Sequence, residues 1–234
     1  MLIEILLVCI LAAIISIDVR TIGGTMLSRP LILGPLVGLI MGDVGTGFIV
    51  AVLVELLWLG LMPIGAYLPV ETLPVTTVTV ALAIHLKHVM GNMPYATLII
   101  FALMAAVPLG YVGRWVESHI RNMNSYLSRK LLKKAEEGEF GIISVMQYTN
   151  ILVTFSKNFL LCFLPIWFGH SIFAAIVNSM PVQVKEGVLY ANWLIPALGF
   201  AVVMEIFLVA RHVKIFIVSY ILSLAVFYAE KILR

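Results

Sequence analysis

Three carboxylates recur where an apolar chain has least use for them: Asp43 in "LIMGDVGTG", Glu55 in "VLVELLWLG" and Glu71 in "PIGAYLPVET". A charged side chain at the centre of a membrane helix costs about 2.5 to 3.5 kcal/mol on insertion scales, while each Leu or Ile returns only about 0.3 to 0.6 kcal/mol. The leucines around Glu55 can carry it into a bilayer but give no reason for it to be there. Intramembrane ionisable residues normally face a cavity or a partner and mark a substrate or ion route. A carboxylate accepts hydrogen bonds from two adjacent hydroxyls, and charge-assisted bonds are the stronger kind, so the chemistry suits a sugar. Glu55 and Glu71 are the candidate hydroxyl acceptors. Pro69 lies in the same stretch, and Tyr67 offers a ring face for stacking. Structural readings stand beside each: Glu55 in a buried ion pair with Arg29, Glu71 as a carboxylate at the membrane surface, Tyr67 as a packing or interface residue.

Other reactive side chains make weaker patterns. His85 and His88 are three apart, a spacing open to a metal, but no third ligand is near and Lys87 between them suggests a helix end. Cys9 and Cys162 each sit alone in an apolar run and read as packing residues. No HExxH or GxSxG pattern occurs, which argues against an intramembrane enzyme. No catalytic residue, metal or cofactor is expected.

The elements that position the carboxylates follow from composition. With 62% hydrophobic residues, 12% charged and a mean hydropathy of +1.10, 234 residues cannot coat a soluble globule. The chain is expected to be an all-α polytopic integral membrane protein forming a single membrane domain. A net charge of +3 is too small and dispersed for nucleic acid binding. The opening "MLIEILLVCILAAIISID" lacks a basic n-region and reads as a retained first helix within 1–28.

Charges then mark the spans. Lys87 and Arg114 enclose an uncharged run long enough for one transmembrane helix, 87–113. Lys157 to Lys185, broken by "GHS" near Gly169, Glu186 to Glu205, and the run after Lys214 supply the C-terminal transmembrane helices of 141–234. In 29–86 no uncharged piece reaches spanning length, and five of the chain's ten prolines lie between Pro30 and Pro74. This region is predicted to hold broken or re-entrant half-helices, whose freed carbonyls need protein or cavity water as partners. Gly34, Gly38 and Gly42 fall four apart, the spacing of a close helix contact. The stretch 114–140 carries Arg114, Arg121, Arg129, Lys130, Lys133 and Lys134 and is expected to face the cytoplasm. Val116, Ile120, Met123, Leu127 and Leu131 give it an amphipathic helical face, either a solvated connector or a docking surface for a cytosolic partner.

The run "SRPLILGPLVGLIMGDVGTGFIVAVLVELLWLGLMPIGAYLP" resembles enzyme IIC, the membrane subunit of the mannose-type (mannose, fructose, sorbose) sugar phosphotransferase system. The matching positions are Arg29 and Pro30, Gly42 and Asp43, Thr46 and Gly47, Glu55, and Ile64 to Ala66, in order and spacing. Asp18 looks like an acidic residue that many members place ahead of the Arg-Pro pair. The resemblance implies a permease subunit that binds and translocates a hexose or amino sugar across the inner membrane, with Asp18 and Asp43 joining Glu55, Tyr67, Pro69 and Glu71 as substrate-site candidates. It implies a second membrane subunit, IID, in an oligomeric complex, and cytosolic IIA and IIB proteins that relay phosphate through histidines. The IIC chain itself holds no phosphohistidine. Where the family commonly continues Gly-Ala-x-x-Pro-Pro-Asp, this chain reads "GAYLPVE", with Val70 for a proline and Glu71 for the aspartate, and members usually extend past "FYAEKILR" with another apolar segment. Two other readings stand beside it: a non-transporting docking or regulatory subunit, and an ion-coupled secondary transporter, to which broken helices and buried carboxylates are equally suited.

Overall fold

Glycine decides how the first apolar pieces fold. The computed structural model describes residues 2–18, 24–60, 67–90, 93–136, 141–209, 214 and 217–222. Helix α1, Leu2–Ile17, is followed by α2, Pro30–Ile40, and α3, Val44–Leu57. With 11 and 14 residues, α2 and α3 are about 16 and 21 Å long, short of the roughly 30 Å hydrocarbon core. They double back at Met41–Asp43, where Gly42 adopts φ +80°, a conformation open to glycine. A Cβ on Gly34 would stand 2.5 Å from the Gly47 carbonyl oxygen, and one on Gly38 would stand 2.6 Å from that of Asp43. Gly34 and Gly38 thus let two backbones touch, while Gly42 makes the turn instead of extending the stripe.

Helix α4, Thr72–Val89, is the centre of the molecule. It packs against α1, α2, α3, α5 and α6, and nearly every residue from Leu73 to Leu86 is buried. Its threonines are accommodated by bonding one turn back: Thr76 and Thr77 donate to the carbonyls of Thr72 and Leu73. Val8, Leu33, Val37, Val50, Ile99 and Ile166 close the core around it.

Helices α5, Tyr95–Glu136, and α6, Gly141–Ser179, are long. They are followed by α7, Val182–Leu189, and α8, Ala191–Val209. Among the described residues, four stretches are long and apolar enough to cross a membrane: Thr72–Val89, Tyr95–Ser128, Ser144–Ser179 and Val182–Glu205. Beyond α8 only Lys214 and 217–222 are described, so most of the run after Lys214 lies outside the described residues.

Three sequence boundaries are not element boundaries. Lys87 belongs to the last turn of α4, where it pairs with Asp43, and the next helix starts only at Tyr95. That helix passes through Arg114 without a break, so the apolar span and the amphipathic basic segment are one continuous helix of 42 residues, about 63 Å long. The Arg114 guanidinium lies over the Tyr67 ring, which gives this charge a partner inside the helix run. The "GHS" stretch does not interrupt α6 either, because Gly169 is where the helix packs on Leu82 and Phe173.

Candidate functional site

Residues Tyr67–Val70 have no regular secondary structure, and Glu71, with an extended backbone, occupies the N-cap position of α4. A pair of glycines on α5 makes their seat. The Glu71 backbone N–H donates to the Gly110 carbonyl at 3.2 Å. A Cβ on Gly110 would fall 2.5 Å from a Val70 methyl, and one on Gly113 would fall 2.7 Å from Glu71 Oε2. Val70, which stands where the family commonly has proline, is buried against this seat. The Glu71 carboxylate also sits at the positive end of the α4 dipole.

Glu71 reaches a partner 86 residues away. Lys157 Nζ, from the middle of α6, donates to Glu71 Oε1 at 2.6 Å and to Glu117 Oε2 of α5 at 3.0 Å. Arg121, one turn beyond Glu117, approaches Glu117 Oε1 at 3.4 Å. Lys157 and Glu117 are only 7% and 3% exposed, so the cluster is internal. Burying such charges is tolerated only when they neutralise and hydrogen-bond one another. Lys157 is therefore not a surface charge at the edge of a span, as its place in the sequence suggested.

Glu71, Glu117 and Arg121 of this cluster line a cavity of about 270 Å³. Its lining comes from the end of α1 (Ser16), the loop before α2 (Ser28), the stretch Leu68 to Leu73, Glu117 and Arg121 of α5, and Asn158 of α6. Pro69 and Glu71 are the two sequence candidates that the structure brings into it. Glu117, Arg121 and Asn158 line it too, and neither they nor Lys157 stand among the sequence candidates. One local signal was available, the Glu117 to Arg121 spacing of an i,i+4 ion pair. The other was Lys157 itself, a lone cation between Thr154 and Asn158.

The remaining candidates lie elsewhere. Glu55 Oε1 pairs with Arg29 at 3.3 Å, the ion pair that the sequence left open, and joins the end of α3 to the start of α2. Its Oε2 is buried with no hydrogen-bond donor among the described residues. Asp43 caps α3 by accepting from the Thr46 N–H at 3.0 Å, and binds Lys87 Nζ at 2.6 Å. Asp43 thereby ties the α2–α3 turn to the last turn of α4. Asp18 accepts from the hydroxyl and backbone N–H of Thr25 at 2.7 and 3.2 Å and ties down the chain after α1, close to the cavity residue Ser16. Tyr67 lines a neighbouring cavity and not that of Glu71. His85 meets His170 of α6 edge to face, ring centroids 5.3 Å apart. Pro63 to Ala66 lie outside the described residues.

Half-length paired helices, a central polar-lined helix and an internal ion cluster beside a cavity define an integral membrane transport protein. The family described as the sorbose-specific IIC component of the PTS system matches residues 2–230. The chain belongs to this family, the IIC sugar permeases of mannose and sorbose type. It is 25% identical over 199 residues to N-acetylgalactosamine permease IIC component 1 of Escherichia coli (strain K12), covering 83% of this chain and 70% of that one. It is 24% identical over 221 residues to the fructose permease IIC component of Bacillus subtilis (strain 168), covering 94% and 78%. Two solved structures share the fold. One, described as a membrane protein, has a TM-score of 0.70 at 20% identity, covering 93% of this chain and 85% of that one. A chain in the complex of the mannose transporter ManYZ with microcin E492 has a TM-score of 0.51 at 22% identity, covering 94% and 86%.

Proposed function

We propose that this IIC subunit holds a hexose or amino sugar in the cavity beside α4 and moves it across the cell's inner membrane, together with a IID membrane subunit. Cytosolic IIA and IIB proteins would supply the phosphate, and the basic part of α5 would face them. The observation that carries the site assignment is that Glu71 and Glu117, bridged by the Lys157 ammonium, both line a cavity of about 270 Å³. The bridge fixes two carboxylates where hydroxyl donors can meet them, and Arg121, Asn158, Ser16 and Ser28 add further polar groups. Glu55, Asp43 and Asp18 serve this site from outside by holding the α2–α3 hairpin and the chain after α1.

The test is accumulation of labelled sugar phosphate in cells producing this chain with its IID, IIA and IIB partners. Glu71→Gln and Glu117→Gln are each expected to reduce uptake by about tenfold or more, since each alters a charge-assisted acceptor. Glu55→Gln, outside the cavity, should reduce it less. Uptake at the wild-type rate in both cavity variants, with protein levels maintained, would overturn the assignment.

A further inference from the structure

A second cavity, of about 420 Å³, lies beside the first and shares only Leu68 with it. Tyr111, Arg114, Trp115 and Ser118 of α5 line one side, at the three- and four-residue steps of a single helix face, and Tyr67 stands opposite. The Arg114 guanidinium lies 5.3 Å from the Tyr67 ring centroid, a cation–π contact that holds it at this cleft. Every polar side chain in the lining can donate: the guanidinium, the two phenols, the indole N–H and the Ser118 hydroxyl. No carboxylate is among the described lining residues.

A pre-positioned guanidinium among donors recognises an anion, and its planar fork matches phosphate oxygens better than a lysine would. Tyr111 and Trp115 are 53% and 63% exposed, leaving ring surface for the carbon part of such a ligand. We propose that this cleft binds an organic phosphate, with the phosphoryl group on Arg114 and Ser118 and the carbon skeleton against Trp115 and Tyr111. Two sources share this chemistry: a phosphorylated sugar and the headgroup of an anionic phospholipid. The assignment does not rest on the sugar cavity, whose test is uptake.

The experiment follows tryptophan fluorescence of the purified full chain in maltoside micelles, titrated in separate arms with glucose 6-phosphate, phosphatidylglycerol, glucose and diacylglycerol. A response to either phosphate ligand, absent with its phosphate-free counterpart and erased in Trp115→Phe, is expected. A response to glucose 6-phosphate alone assigns the sugar phosphate, and one to phosphatidylglycerol alone assigns the lipid. Arg114→Gln should weaken binding by at least about tenfold, and Arg114→Lys by less, because it keeps charge but loses the fork. Ser118→Ala, which leaves the Tyr67 contact in place, should weaken it about threefold. No response to either phosphate, or affinities unchanged in both Arg114→Gln and Ser118→Ala, overturns the proposal.

Discussion

Lys157 shows what a single residue contributes to this molecule and why it was hard to read. A lysine in an apolar helix looks like the end of a span, because charges normally stop at the membrane surface. Its meaning lies in Glu71 and Glu117, 86 and 40 residues away, and no local pattern connects them. Glu71 and Pro69 were legible, since a proline and a carboxylate in an apolar run mark themselves. Lys157→Met removes the cation that both carboxylates share. Breaking a buried pair from one side costs about 3 to 5 kcal/mol, so the variant should show a large fall in thermal stability in detergent. Combining it with Glu71→Gln and Glu117→Gln removes the buried charges together, leaving only the half-exposed Arg121, and should recover most of that stability, because apolar or neutral replacements of buried ion clusters are often tolerated. Transport should not recover in the triple variant. Recovery of both stability and uptake would reduce the cluster to packing.

At the level of elements, glycine contacts divide into those that can yield and those that cannot. Gly34 faces the Gly47 carbonyl and the Ala51 Cβ, so an added methyl meets backbone and a short side chain with nowhere to go. Gly34→Ala is expected to cost about 1 to 3 kcal/mol, read as a lower unfolding temperature, by forcing α2 away from α3. Gly169→Ala meets the Phe173 ring at 3.2 Å and Leu82 Cδ2 at 3.4 Å, side-chain atoms that can shift, and should cost less than about 1 kcal/mol. Equal losses in the two variants would mean that the hairpin is not backbone-limited. The short helices were legible because prolines and glycines cluster there. The unbroken course of α5 was not, since a switch from apolar to basic composition looks the same whether a helix ends or simply leaves the apolar layer.

The whole molecule is packed unevenly, and this bears on where its surfaces lie. Composition alone made it a membrane protein, but not which helices are central. Helix α4 is enclosed on all sides, whereas Trp193, Leu194, Leu198 and Phe200 of α8 are exposed, Trp193 at 79%. Contacts to the rest of the chain run through a few points, such as Leu56 against Gly199 and Val202 against Gly60. An apolar face of this size is stable against lipid or another membrane subunit and not against water. A variant retaining Trp193 as its single tryptophan, reconstituted in vesicles, should therefore emit at short wavelength, resist iodide and be quenched by brominated lipid. Co-reconstitution with the IID subunit leaves iodide resistance unchanged whichever neighbour covers the face, and a drop in bromolipid quenching would locate that subunit on α8. Red-shifted, iodide-sensitive emission would instead place the start of α8 in water and remove Val182–Glu205 from the set of crossings.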